Sequence, residues 1–233
     1  MIWRVSQLQA SSAIILSHRS QCLVAATRWL RLVLLASFPL QSCASSAPRL
    51  PVKPAPDAAE RLRAAAEQAG VAFPLAQVAL RVYKRERRLE LWAGQIRVKT
   101  YRVALGAEPD RDKLREGDRR TPEGEFYVCT RNDRSRFHLF LGLSYPNEAD
   151  AERGLRAGLL AREQYDAILQ AQRQRSRPPW DTPLGGEVGI HGGGAGADWT
   201  WGCVALSNDD IEELWLACPL GAPVTIALSS SLG

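Results

Sequence analysis

The chain has 233 residues, with 30 Lys and Arg against 25 Asp and Glu, 45% hydrophobic and 24% charged residues, and five cysteines. That composition excludes a disordered chain, a collagen, a coiled coil and a disulfide-dense miniprotein, and it suffices for one sizeable core. The net charge of +5 does not point to nucleic acid, because Arg4, Arg19, Arg28, Arg31, Arg49 and Lys53 all precede the first acidic residue, Asp57; the chain from Asp57 onward carries one net negative charge.

Residues 1–43 read as an export leader. Arg28 and Arg31 precede the apolar run from Leu32 to Leu40, which is too short to span a bilayer. The run ends in Leu40-Gln41-Ser42-Cys43, which resembles the lipobox of bacterial lipoproteins, with Cys43 as the residue to be lipidated. Cleavage after Ala44 or Ala47, or an uncleaved anchor, is the alternative. The stretch before Val24 is long for a signal, and Arg makes up 26 of the 30 basic residues, as in GC-rich genomes that use GTG starts; initiation at Val24 is therefore expected. Membrane attachment is expected only through this N-terminal signal or lipid.

Residues 44–74 read as a linker and short helix. Ser45 to Pro56 has the Ser/Pro-rich composition of an extended tether, and Ala58 to Ala69 has helical composition with Gly70 placed to stop it. From Leu75 the texture becomes short strands: Val78 to Tyr83, Leu89 to Trp92, Ile96 to Leu105, Phe126 to Cys129, Leu139 to Leu143, Val188 to His191 and Val224 to Leu228. Arg85 to Arg88 reads as a charged hairpin end. Glu148 to Arg175 has helical composition, one or two helices inserted between strands. Ser207 three residues before Asp210, Ile211, Leu214 and Trp215 on one face, and Pro219 and Gly221 beyond, predict a last capped helix. The expected fold class is mainly β, a β-rich α+β domain over residues 75–229.

The chemistry concentrates in Ile190-His191-Gly192-Gly193-Gly194, then Asp198-Trp199-Thr200-Trp201-Gly202-Cys203-Val204. A strand ending in His, a glycine-rich loop, and Gly-Cys before a capped helix put an imidazole and a thiol on neighbouring loops at one sheet edge. A thiolate is the nucleophile; a nearby His takes the thiol proton or holds the pair as an ion pair. Gly202 leaves room for a substrate carbonyl, and backbone N–H groups around Cys203 are natural oxyanion donors. His-Gly-Gly-Gly also matches the oxyanion loop of esterases, but the chain has no Gly-x-Ser-x-Gly nucleophile. Three scattered histidines do not form a metal motif, so no metal and no cofactor are expected.

These segments resemble the L,D-transpeptidase (YkuD-type) catalytic domain of bacterial cell-wall enzymes, in which a strand ends in His-Gly and the nucleophile sits in Ser/Thr-x-Gly-Cys followed by an apolar residue. Upstream, Glu116 to Phe126 with its Thr121-Pro122-Glu123-Gly124 turn is similar to the family's segment leading into a strand, and Ser144-Tyr145-Pro146-Asn147 with Asp150 resembles the YafK-like branch. The resemblance spans about residues 78 to 228. It implies a β-sandwich or barrel-like sheet with helical insertions and the site at one edge. It also implies Cys203 as the nucleophile forming a thioester with a peptidoglycan stem peptide at its diaminopimelate, and His191 as base and acid. Gly192, whose carbonyl would orient the His, and Gly202 would give backbone or oxyanion support, and Trp201, Thr200, Tyr145 and His138 are candidate cleft residues. Two departures stand out: Trp201 occupies a position that many members give to His, and Ala205 one that many give to Arg or Asn.

The resemblance implies a place in the bacterial cell envelope, the periplasm, with stem peptides as partners and a peptidoglycan-linked lipoprotein as a further candidate. Transfer to an amine and hydrolysis by water (L,D-carboxypeptidase or amidase) both remain open, as does a non-catalytic peptidoglycan-binding role. Cys129 and Cys218 read as buried small hydrophobes, with a disulfide as the alternative. An Arg of the Asp118-Arg119-Arg120 turn is a candidate for a diaminopimelate carboxylate.

Overall fold

The structure, a computed structural model, describes residues 49–230. The expectations for the leader, including Val24 and Cys43, lie outside these residues. The apolar runs form eight strands: β1 (Val78–Tyr83), β2 (Arg88–Ala93), β3 (Ile96–Arg102), β4 (Gly124–Ser135), β5 (His138–Leu143), β6 (Gly189–His191), β7 (Val204–Ala205) and β8 (Pro223–Ala227). Four helices accompany them: α1 (Ala58–Gln68), α2 (Glu148–Arg156), α3 (Arg162–Arg173) and α4 (Asn208–Ala217). The fold is mainly β, as the sequence predicts.

The strands form one mixed sheet in the order β3-β2-β1-β8-β4-β5-β6-β7. β1 pairs with β8 in parallel and β6 with β7 in parallel, and the other neighbours are antiparallel. The chain just beyond β3 meets β7 at the other end of that order. Ala104 and Ala205 exchange both backbone hydrogen bonds, at 2.9 and 2.8 Å, so the sheet curls until its two edges touch. This closure removes most of the unpaired edge that an open sheet would expose.

Strand alternation sets the core. In β1, Val78, Leu80 and Val82 point inward, and they meet Leu89, Leu91, Leu139, Leu141, Val224 and Ile226 together with Ile211 and Leu214 from α4. Each fully buried Leu or Ile contributes about 1.5–3 kcal/mol relative to exposure. α4 begins where the sequence places it: the Ser207 hydroxyl accepts from the Asp210 N–H at 3.1 Å and donates to its carboxylate at 2.6 Å.

The structure departs from the sequence reading in three places. The strand expected to stop at Cys129 runs to Ser135, because its polar end pairs with β5 in a hairpin that turns at Arg136-Phe137. The two-residue strand β7 was not anticipated, since no periodicity exists in two residues. The insertion agrees with the expected one or two helices: it is two, packed on their own small cluster of Ala151, Leu160, Ile168 and Leu184. Helix α1, assigned to the tether, buries Leu62 and Ala66 in the main core, and the segment before it is docked too: the Val52 N–H donates to the Asp133 carbonyl at 2.6 Å, and that of Ala55 to Glu212 at 2.8 Å.

Candidate active site

The seam where the sheet closes carries the His-Gly and Gly-Cys segments. β6 ends at His191, and the parallel register Ile190 to Val204 and His191 to Ala205 puts Cys203, one residue before β7, at the same sheet end. The connecting loop is clamped. Asp198 receives two side-chain donors of Arg87, at 2.7 to 3.1 Å, and the Leu105 N–H at 2.8 Å, while the N–H groups of Trp199 and Thr200 both donate to the Leu105 carbonyl at 3.1 Å.

The turn bearing the thiol is organised by Thr200. Its hydroxyl donates to the Cys203 carbonyl at 2.7 Å and accepts from the Gly202 N–H at 3.1 Å, closing the four residues Thr200-Trp201-Gly202-Cys203. Gly202 has φ +133°, and a Cβ there would stand 2.7 Å from the Arg120 carbonyl oxygen, so only glycine fits. Because its N–H is committed to Thr200, Gly202 serves through its small size and not as the oxyanion donor the sequence reading allowed for.

His191 is 1% exposed. Its Nδ1 lies 2.6 Å from the Gly192 carbonyl oxygen; a carbonyl only accepts, so Nδ1 carries the proton and Nε2 keeps the basic lone pair. The ring stacks on Phe137, with centroids 4.6 Å apart and planes at 21°, and meets Trp199 edge-on at 5.6 Å. Burial among these rings holds its pKa below the ordinary histidine value; the bond to Gly192 pulls it back up, and Arg136 pushes it further down.

The Cys203 thiol donates to the Glu187 carbonyl at 3.5 Å. Burial pushes its pKa up to about 11, against the lowering effects of a backbone hydrogen bond from Gly189 and of the Lys113 and Arg136 cations. A thiol held above its usual value and a histidine held below its own are each neutral at pH 7, in contrast to a preformed thiolate and imidazolium. Lys113 is 3% exposed, bonds Asp118 at 2.9 Å and the Arg115 carbonyl at 3.0 Å, and lies behind Gly202. Cys203 and His191 line one open cleft of about 860 Å³, together with Phe140, Trp180, Thr200 and Trp201.

The remaining sequence candidates separate cleanly. Trp201 is 72% exposed at the cleft, and Thr200 lines it while its hydroxyl holds the turn. Tyr145 is a correction: it is fully buried, its hydroxyl donates to the Leu184 carbonyl at 3.0 Å, and it packs on Phe126, away from the cleft. His138 is another, since its Nε2 pairs with Glu212 at 2.7 Å and ties the hairpin to α4 without lining the cleft. Cys129 and Cys218 are separate free thiols, each pushed up to about 12 by burial. The Asp118-Arg119-Arg120 turn is a structural one: Asp118 gathers the N–H groups of Leu114, Arg115 and Arg120 and the Lys113 ammonium. Ala205 is fully buried at the seam, where it exchanges backbone hydrogen bonds with Ala104.

Sequence reasoning missed Phe137, Asp198, Lys113 and the arginines of the cleft wall. Asp198 and Phe137 reach the site through tertiary pairing alone. The run Arg134-Ser135-Arg136-Phe137, polar residues around an aromatic between two strands, was the available signal for a hairpin tip. Among the described residues no three His, Cys, Asp or Glu side chains are grouped to hold a metal ion, and no helix is long and apolar enough to cross a membrane.

A family model described as the YkuD, L,D-transpeptidase catalytic domain matches residues 77–226. Similar solved structures include Bd1075 of Bdellovibrio bacteriovorus, 20% identical over 68% of this chain and 50% of that one, with a TM-score of 0.44. The helical cell shape determining protein Pgp2 of Campylobacter jejuni is 18% identical over 68% of this chain and 49% of that one, with a TM-score of 0.48. An L,D-transpeptidase of Xylanimonas cellulosilytica is 14% identical over 70% of this chain and 68% of that one, with a TM-score of 0.39. The matched region thus spans about half the length of the Bdellovibrio and Campylobacter proteins. No curated protein matches the chain.

Proposed function

From the premise that this chain belongs to the L,D-transpeptidase (YkuD) catalytic domain family, whose members act on peptidoglycan in the cell envelope, we propose that it is a cysteine acyltransferase acting at the diaminopimelate of stem peptides. The observation that carries this reading is that a tautomer-fixed His191 and the Cys203 thiol line one cleft. His191 Nε2 takes the thiol proton as sulfur attacks the carbonyl carbon of the amide between diaminopimelate and the terminal D-residue. The resulting imidazolium gives that proton to the leaving amine as the C–N bond breaks, and the stem remains as a thioester on Cys203. A second amine, or water, then attacks the thioester carbonyl and delivers a proton to His191, which passes it to the departing sulfur as the C–S bond breaks, restoring the thiol and the neutral imidazole.

Two fates of the thioester define the finer activity. Transfer to an amine of a second stem makes a cross-link; hydrolysis makes an L,D-carboxypeptidase or, on a lipoprotein-linked stem, an amidase. We take transfer as the leading reading, because the cleft is open enough to admit a second peptide beside the thioester. A cleaved N-terminal signal would release the enzyme into the periplasm, and a Cys43 lipid would hold it to the membrane.

The test incubates the full chain and its Cys203→Ala variant with tetrapeptide-stem muropeptides and follows the products by mass spectrometry. A Cys203-dependent dimer that has lost one D-Ala supports transfer, and a Cys203-dependent shortened monomer supports hydrolysis instead. No Cys203-dependent product with stems or lipoprotein-linked stems overturns the catalytic reading in favour of a binding role.

A further inference from the structure

The cleft wall is strongly basic although the chain beyond the leader is nearly neutral. Five arginines line it, Arg49, Arg131, Arg134, Arg136 and Arg177, against the single carboxylate of Glu187. Arg131 is committed to structure, donating to the carbonyls of Trp215 and Cys218 at 2.7 and 3.2 Å. Arg134, Arg136 and Arg177 are not: among the described residues none of them has a carboxylate within ion-pair distance. These three cations are exposed, and unpaired charges of one sign gathered along a cleft raise the local concentration of anions.

Two of these guanidiniums are held in place without being neutralised. An aromatic row runs along the cleft: Phe137 stacks on His191 at 4.6 Å, His191 faces Phe140 at 6.4 Å, and Phe140 and Trp180 both crowd the same face of Gly142. Arg136 lies over the Phe137 ring at 4.7 Å and Arg177 over the Trp180 ring at 5.0 Å, one on each end of the row. A guanidinium resting on a ring face keeps its edge donors free in a fixed plane, the geometry that takes a carboxylate in two parallel hydrogen bonds. Trp180 adds a buried indole N–H with no partner among the described residues.

We propose that Arg136 and Arg177, in the cleft that also holds Cys203, bind two free carboxylates of the substrate, so that the site selects a stem peptide whose carboxylates are not amidated. The assignment rests on the stem-peptide reading above and deepens it. A stem tetrapeptide carries carboxylates on its γ-linked glutamate, on the second centre of diaminopimelate and on the terminal D-residue; the first two belong to the part that Cys203 would retain, and these are the two assigned to Arg136 and Arg177. Amidation at the glutamate and at the second diaminopimelate centre removes two of these charges with little change of shape, so the arginines discriminate by charge.

The test separates binding from chemistry. Full-length protein carrying Cys203→Ala is titrated calorimetrically with a free-carboxylate stem tetrapeptide and with the same peptide amidated at those two positions, at low and at moderate salt. The free form binds at least tenfold tighter, and raising the salt narrows the gap. Arg136→Gln and Arg177→Gln, with folding checked by circular dichroism, each weaken the free form about five- to tenfold and leave the amidated form unchanged. Arg136→Lys retains part of the preference. In the Cys203 background, Arg136→Gln and Arg177→Gln raise KM for the free stem far more than they lower kcat. Equal affinity for both peptides, or variants that weaken both equally, overturns the carboxylate site even where Cys203 is acylated normally. Charge discrimination that persists while Cys203 is never acylated keeps the site and overturns the transpeptidase reading.

Discussion

The Nδ1–H of His191 donates to the carbonyl oxygen of the next residue, Gly192, across 2.6 Å, which leaves Nε2 as the one basic atom of a buried neutral ring. Gly192 has no alternative there, since a Cβ would stand 2.5 Å from Asn208 Oδ1. The backbone thus does for this imidazole what an acidic side chain does in a three-residue triad: it sets the tautomer and the ring plane.

The pH profile follows from that arrangement. Burial lowers the pKa of His191 and raises that of Cys203 to about 11, so both are neutral at pH 7. Alkylation of Cys203 by iodoacetamide is expected to climb about tenfold per pH unit from pH 7 toward 10, with no plateau between pH 5 and 8. A flat plateau there would indicate a preformed ion pair. Stability has the opposite limb: the unfolded chain binds a proton near the ordinary histidine pKa of about 6.5 and the folded His191 resists it, so stability falls as pH drops below that value. Denaturant titrations at pH 7 and pH 5 of the native chain and of His191→Gln measure this difference.

Phe137 is the ring that keeps His191 apolar. Phe137→Ala opens the stacked face to water, and the pKa of His191 rises toward the ordinary value. An NMR titration of the His191 ring protons checks the direction, and an unchanged midpoint would show that the stacking is not what depresses it.

Thr200 holds the nucleophile's turn through one hydroxyl. Thr200→Val removes the bonds to the Cys203 carbonyl and the Gly202 N–H at nearly constant volume and costs about 1–3 kcal/mol by leaving buried groups unpaired. Thr200→Ser restores most of that, because the hydroxyl alone makes both bonds. Thermal melts of the two variants, read beside their turnover of stem peptide, separate the hydroxyl from the methyl group.

Lys113 and Asp118 form a buried pair, with side chains 4% and 7% exposed, behind the thiol's turn. Removing one partner strands the other: Lys113→Met is expected to cost about 3–5 kcal/mol and to raise the thiol pKa further, because the ammonium lowers it in the native protein. The double change Lys113→Met with Asp118→Asn recovers part of the stability but not the thiol pKa.

The strands and the two site residues were legible in the sequence for different reasons. β1 was readable to the residue because its apolar positions alternate from Val78 to Val82, and α4 because Ser207 and Asp210 mark its start. Cys203 and His191 stood out by residue type and by their glycine neighbours. Three-dimensional placement was not legible. Tyr145 has the composition of a cleft residue yet lies in the core, and His138 is drawn to Glu212, 74 residues away in sequence. Phe137 and Arg136 reach the site only because β4 extends past its apolar part to make a hairpin, and Asp198 matters only because Arg87 lies opposite it. Such pairings depend on sheet order, which periodicity does not encode.

The central claim is that Cys203 carries the substrate as a thioester, and the mass of the intact protein after brief mixing with a stem tetrapeptide tests it most directly. The account predicts a species heavier by the stem minus its terminal D-Ala, mapped to the peptide containing Cys203, discharged by hydroxylamine and absent in Cys203→Ala. Turnover of the stem with no such adduct under acid quench, or with undiminished product from the Cys203→Ala protein, would contradict it.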